Sequence, residues 1–242
     1  MWTEWLVRDC LGGLDPARPF HVLDLCCGTG CVGVAIAKKV PPARVWGVDI
    51  LPEAVQMSQE NARQNGIPDT RYTALQSDFF ACFMATEIKA GEGSLGDTSV
   101  PCEGPTKDRA DSQPRKMQIA DAYRHSFDLI VCNPPYVLPA QYDALPLTIK
   151  RWESRLALVG DARRESKQYL YFKELCEYGV EMLKPGRSND TALREVPNLV
   201  VEVGLQAEVV ASLMEMSKLW ENVKVHLDYA QQPRWITATS TH

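Results

Sequence analysis

His21-Val-Leu-Asp-Leu-Cys-Cys-Gly28-Thr-Gly30-Cys-Val-Gly33 is the stretch on which the fold turns. His21 to Cys26 (HVLDLC) is a short apolar run of strand length. The glycines follow it at once, and Cys31 to Lys39 (CVGVAIAKK) continues as an apolar helix. Pro41-Pro42 stops that helix, because proline can neither donate to the ladder nor leave its predecessor helical. A second strand is expected over Arg44 to Ile50 (RVWGVDI). Strand, glycine turn, helix and strand in this order make a parallel crossover unit.

The rhythm continues along the chain. Pro52 suits a first helical turn, Ala54, Val55 and Ala62 mark an inward face, and Asn65-Gly66 is a stop signal. Tyr72 to Ser77 is a third strand and Phe127 to Cys132 (FDLIVC) a fourth. Tyr169, Phe172, Leu175, Cys176, Val180 and Leu183 form one helical stripe that ends at Pro185-Gly186. Asn198 to Val203 is a fifth strand and Gln206 to Trp220 a further helix. Val223 to Leu227 and Trp235 to Thr239, parted by turn residues that include Pro233, pair as a terminal hairpin. The expected class is α/β: a Rossmann-like, seven-stranded, mostly parallel sheet with helices on both faces.

Residues 81–126 break the alternation with several Gly, Pro and charged residues. No apolar period survives between about Ile88 and Arg115, so an excursion at the surface is expected there, with a shorter loop over Arg187 to Pro197. The 242 residues are 45% apolar and 24% charged, with 26 basic and 31 acidic side chains, a formal charge of −5. That balance disfavours a protein whose main work is gripping a nucleic-acid backbone. No run approaches the roughly 18 apolar residues of a membrane span, and no signal peptide or Arg-rich presequence is evident. Cys26, Cys27, Cys31 and Cys132 sit in apolar segments without zinc-ribbon spacing, so the eight cysteines read as free thiols of a reducing compartment. No metal is expected.

Glycines directly after a strand let a ligand approach the backbone, and the next helix offers unpaired amides. Gly28, Gly30 and Gly33 match the dinucleotide spacing, and Asp49 ends the next strand, where an acid binding a ribose belongs. By itself this serves nicotinamide, flavin and S-adenosylmethionine alike. Asp24 separates them, since a carboxylate within the first strand would repel a pyrophosphate and attract an ammonium or a sulfonium. Asp78 and Phe79, after the third strand, are candidates for the adenine amino group and the purine face.

Asn133-Pro134-Pro135-Tyr136 leaves the fourth strand, at the edge where open parallel sheets place their sites. Two prolines fix φ twice and bias Asn133 to an extended conformation. The Asn133 side-chain oxygen and the Pro134 carbonyl can each accept one N–H of an amino or amide nitrogen, while Tyr136 packs on the planar group that carries it. Orientation is what a delocalised, weakly nucleophilic nitrogen needs.

Taken in order, Asp24 through Gly30, Asp49, Asp78 and Asn133 to Tyr136 resemble a class I S-adenosylmethionine-dependent methyltransferase with an amino-methylating signature. Arg151-Trp-Glu-Ser-Arg-Leu-Ala-Leu158 with Gly160-Asp161, Glu202-Val-Gly204-Leu-Gln206, Asp228 to Arg234 and Thr3-Glu4 narrow the resemblance. They are similar to blocks of the HemK/PrmC family of release-factor glutamine methyltransferases. The resemblance implies methylation of the glutamine amide in the Gly-Gly-Gln loop of a class I peptide-chain release factor, with S-adenosylmethionine as donor. It implies catalytic roles for Asn133, Pro134 and Tyr136, with Pro135 joining them in binding the acceptor. It implies a cofactor site of Asp24, Cys26, Cys27, Gly28, Thr29, Gly30, Asp49, Ile50, Asp78, Phe79 and Asn133. Cys26-Cys27 departs from the family's Gly and Thr, and no counterpart of the family's N-terminal helical domain is found. One catalytic domain over 1–242 with an insertion at 81–126 is therefore expected. It is expected to be a monomer without membrane or direct nucleic-acid binding, placed in the mitochondrion ahead of the cytoplasm.

The competing readings are an adenine or guanine amino methyltransferase acting on DNA or RNA, a silent methyltransferase-like binding module, and an NAD-linked enzyme. Arg151, Arg155, Arg163 and Arg164 could line a local basic patch for the first of these. The intact Asn133 and glycine turn speak against the second, and Asp24 against the third.

Overall fold

The computed structural model of the chain describes residues 2–85, 118–160, 169–185, 193 and 196–241. A short helix, α1 (Trp2–Trp5), runs into a wider turn over Leu6–Cys10. There follow β1 (Phe20–Leu25), α2 (Cys31–Lys39), β2 (Ala43–Asp49), α3 (Pro52–Gln64) and β3 (Tyr72–Gln76). Next come β4 (Leu129–Cys132) and three short helices, α4 (Pro139–Ala144), α5 (Leu147–Trp152) and α6 (Arg155–Val159). The chain then forms α7 (Leu170–Met182), β5 (Leu199–Glu202), α8 (Ala207–Ser217), β6 (Trp220–Leu227) and β7 (Pro233–Ser240).

The seven strands form one sheet in the order β3-β2-β1-β4-β5-β7-β6. The first five are parallel, and β7 runs antiparallel to both β5 and β6. Side chains alternate across the sheet as strand geometry requires. Leu23, Leu25, Ile130 and Cys132 pack on the face covered by α7 and α8. Val22, Leu129 and Val131 pack on the face covered by α1 and α2. Burial on both faces explains why these strands read as continuous apolar runs. Among the described residues, no helix is long and apolar enough to cross a membrane.

The α/β class, all seven strands and the hairpin stand as expected, with four adjustments. The helix expected over 206–220 ends at Ser217, because Lys218 turns left-handed at φ +58° and Trp220 opens β6. The Trp220 indole N–H there donates to the Cys176 carbonyl at 3.2 Å. Pro233 belongs to β7 rather than to the turn, at a strand's first residue where proline is tolerated. α7 stops at Met182, before Pro185, because Leu183 bridges to Phe127.

The excursion is narrower than 81–126. Ala81–Phe83 forms a single helical turn, Met84 bridges Ile119, and Phe83 and Ile119 are fully buried. Its middle, 86–117, lies outside the described residues, as does most of the loop expected over 187–197.

Candidate active site

The order of strands reverses between β1 and β4, which opens a crevice at the carboxyl edge of the sheet. Leu25 and Cys132 are in register across these strands. The glycine turn and the Asn133–Tyr136 loop therefore leave the sheet side by side, and the Asn133 amide donates to the Leu25 carbonyl at 3.3 Å.

The glycine turn is held from all sides. Cys27 N donates to Val48 O (2.9 Å), Gly30 N to Cys27 O (2.8 Å), and Asn61 Nδ2 of α3 to Thr29 O (2.9 Å). Cys26, Gly28 and Gly30 are left-handed, at φ +57°, +54° and +79°. A Cβ at Gly28 would meet only open space. At Gly30 it would stand 2.8 Å from both Ser58 Cβ and the Tyr72 hydroxyl. Two glycines thus answer different demands: Gly28 leaves room above the turn, and Gly30 lets the packing close beneath it.

Asp49 shapes the turn before any ligand arrives. Its Oδ2 accepts from Gly28 N (2.8 Å) and its Oδ1 from Leu51 N (3.0 Å). Each carboxylate oxygen keeps a further acceptor direction. Asp24 is placed differently. It is buried, does not line the cavity, and accepts from Gly33 N at 2.9 Å. Burial is the main reason its carboxyl is pushed up to about 7; the Gly33 bond opposes this and the Asp49 charge adds to it. Asp24 is thus a buried strut beneath the turn, joined to the first residues of α2.

One cavity of about 480 Å³ joins the two loops. Of the expected residues it brings together Cys26, Cys27, Gly28, Thr29, Asp49, Ile50, Asp78, Phe79 and the whole Asn133–Tyr136 loop, but neither Asp24 nor Gly30. Phe79 reaches it from a left-handed backbone at φ +54°. Its ring is almost wholly buried, edge-on to Phe80 and Tyr171, so only a small part of it faces the cavity. Pro134 is buried and Asn133 exposed. Among the described residues, no group binds the Asn133 side-chain amide.

Sequence patterns left part of the wall unseen. Glu153, Leu156, Ala157 and Leu158 line it, brought over the site by α5 and α6. Val137 N donates to Leu158 O at 2.9 Å, which fastens this wall to the Asn133–Tyr136 loop. Tyr171 of α7 completes it. The Arg151-to-Leu158 block was the available sign, though nothing in its composition pointed inward. Of the four arginines considered for a basic patch, Arg151 stacks on Trp152 and Arg155 on Tyr142, while Arg163 and Arg164 lie outside the described residues.

The fold is that of class I S-adenosylmethionine-dependent methyltransferases, and a methyltransferase-domain family matches residues 18–89. A solved structure of TrmN from Thermus thermophilus shares it with a TM-score of 0.50 at 14% identity, over 98% of this chain and 48% of that one. Similarity in sequence runs to release factor glutamine methyltransferases. That of Moorella thermoacetica is 27% identical over 98% of this chain and 64% of its own length. That of Geobacter sulfurreducens is 30% identical over 87% and 54%. The ribosomal protein uL3 glutamine methyltransferase of Bordetella pertussis is 29% identical over 61% and 36%. The chain thus spans about half to two thirds of the first two relatives.

Proposed function

We propose that the protein methylates the side-chain amide nitrogen of the glutamine in the Gly-Gly-Gln loop of a class I peptide-chain release factor, with S-adenosylmethionine as donor. The observation that carries this is the single cavity shared by the glycine turn and the Asn133–Tyr136 loop. The relatives named for glutamine methylation support the acceptor class.

The residues fit the donor. Open space above Gly28 would admit it, the spare lone pairs of Asp49 would accept from a ribose diol, and Asp78 and the exposed edge of Phe79, which line the same cavity, would take the adenine. When bound, S-adenosylmethionine supplies a methyl group on a positively charged sulfur. The chain's own part is to aim the acceptor. The Asn133 side-chain oxygen and the Pro134 carbonyl each accept one amide N–H, which holds the nitrogen along the line of transfer. As charge builds on the nitrogen those two oxygens stabilise it, and they need no reorganisation because the diproline backbone is already set; the methylated nitrogen then releases one of its two protons to solvent. Tyr136 covers the plane of the amide.

Incubation of the protein with isotope-labelled donor and purified release factors, followed by mass spectrometry, tests this. One methyl group on the glutamine of the Gly-Gly-Gln loop is the expected result. The Bordetella relative favours a ribosomal-protein glutamine as the second reading, so ribosomal protein uL3 forms a parallel arm. Labelling of uL3 alone, or of an adenine or guanine amino group in added RNA or DNA, would overturn the release-factor assignment. The relatives named here are bacterial and lend the mitochondrial placement no support; import of the tagged chain into isolated mitochondria is its test.

A further inference from the structure

Tyr136 is pinned from four directions by residues outside its own loop. Its hydroxyl donates to Glu202 Oε1 (3.0 Å), and its carbonyl accepts from Gln206 Nε2 (2.8 Å). Its ring lies so close to Gly204 that a Cβ there would stand 3.0 Å from Cδ2. The Arg234 guanidinium sits 5.9 Å from the ring centroid.

The Glu202 carboxylate, at the end of β5, is the hub. Oε1 also meets Arg234 Nη2 at 3.2 Å, and Oε2 accepts from the Trp2 indole N–H at 2.9 Å. The side chain is only 12% exposed, so these bonds are poorly replaced by water. Burial, with the Glu202 charge adding to it, pushes the Tyr136 hydroxyl up to about 12, so it stays a donor at neutral pH. Glu202 itself does not line the cavity.

We propose that Glu202 is a positioning residue for the acceptor side of the cavity: it fixes the Tyr136 ring and, through Trp2, ties that ring to α1. Glu202 acts through Tyr136 and has no direct contact with donor or acceptor. The argument for its effect on turnover rests on the function proposed above; the argument for its hold on the ring does not.

The test therefore has two arms. With tyrosine labelled by ¹³C at Cζ and the Tyr136 resonance assigned by Tyr136→Phe, Glu202→Gln should move that resonance and leave those of the other tyrosines in place. The carboxamide of that variant offers a single acceptor oxygen to three donors and sets an amide N–H against one of them. In the activity arm, Glu202→Gln should lower kcat/KM for the release factor about tenfold, the scale of one hydrogen bond to a charged group. Affinity for S-adenosylmethionine, measured by calorimetry, should stay within twofold. Added to Tyr136→Phe, Glu202→Gln should cost nothing further.

A Tyr136 resonance unmoved by Glu202→Gln overturns the proposal, as do multiplicative losses in the double variant or an equal loss of donor affinity. Glu202→Asp, which keeps the charge and shortens the reach, serves both arms if Glu202→Gln does not fold. Should the wild type methylate no release factor, the function proposed above falls while the resonance arm still decides this one.

Discussion

Cys26 occupies a left-handed position, φ +57°, that an L-residue fills at a cost of about 1–2 kcal/mol. Glycine relieves that cost and gives back roughly half of it as chain entropy, whereas a β-branched side chain makes it worse. Thermal unfolding should therefore rank Cys26→Gly at or slightly above the wild type and Cys26→Val below it by at least about 1 kcal/mol. A Val variant as stable as the wild type would show that the backbone there is not held. Asn133 makes the complementary case. Nothing among the described residues uses its side chain, so Asn133→Ala should leave the fold and the donor affinity close to wild type. Methyl transfer should fall by at least about a hundredfold, the range expected when an oriented acceptor of developing charge is removed. Retained turnover in that variant would break the assignment of its role.

Among the elements, β3 supports the site from below. Its Tyr72 is fully buried, with its hydroxyl wedged under the glycine turn beside Ser58 and Cys27, yet with no hydrogen bond of good geometry among the described residues. A Cβ at Gly47 would stand 2.5 Å from that hydroxyl. An unpaired buried hydroxyl costs about 1–3 kcal/mol, so Tyr72→Phe should leave the chain as stable as before or more so, by up to about 1 kcal/mol after the small void is counted. A loss above about 1 kcal/mol in denaturant melts would mean that the hydroxyl has found a partner. β1, β4 and β5 were legible because burial on both faces writes itself as apolar runs, while β3, at the sheet edge with Tyr72 its one buried residue, was placed by the alternation and by the helix stop before it. α4, α5 and α6 were not. At five or six residues each they are too short to show a period, and they are placed by bonds such as Val137 N to Leu158 O rather than by their own pattern. The two loops of the site were readable because each carries its rigidity locally, in glycine or in proline. The hold of Glu202 on Tyr136 spans 66 positions, and its bond to Trp2 spans 200, so no local spacing encodes either.

The whole molecule carries the consequence of Asp24. Its folded-state carboxyl titrates near 7 against an ordinary value of about 4, so between those limits the folded chain holds a proton that the unfolded chain has released. That stabilisation is complete below about pH 4 and is lost as the pH rises through 7. At about 1.4 kcal/mol for each pH unit between the two values, it amounts to roughly 4 kcal/mol at most. Asp24→Asn removes this ionisation and can still accept from Gly33 N. The gap in Tm between the variant and the wild type should therefore widen in the variant's favour from pH 5 to pH 8. A gap that stays flat would mean that Asp24 ionises normally despite its burial.

The stems of the excursion have an engineering consequence as well. Ala85 N donates to Gln118 O (2.9 Å) and Ala120 N to Phe83 O (2.8 Å), so the chain departs and returns along a ready-made antiparallel ladder. Such a ladder is a socket: whatever is spliced between its ends pays only for its own closure, about 0.6 kcal/mol for each doubling of length. If the ladder alone fixes the two stems, exchange of 86–117 for an Asn-Gly turn should leave the melting temperature of the host within a few degrees, and a larger loss would mean that the exchanged residues hold the host as well.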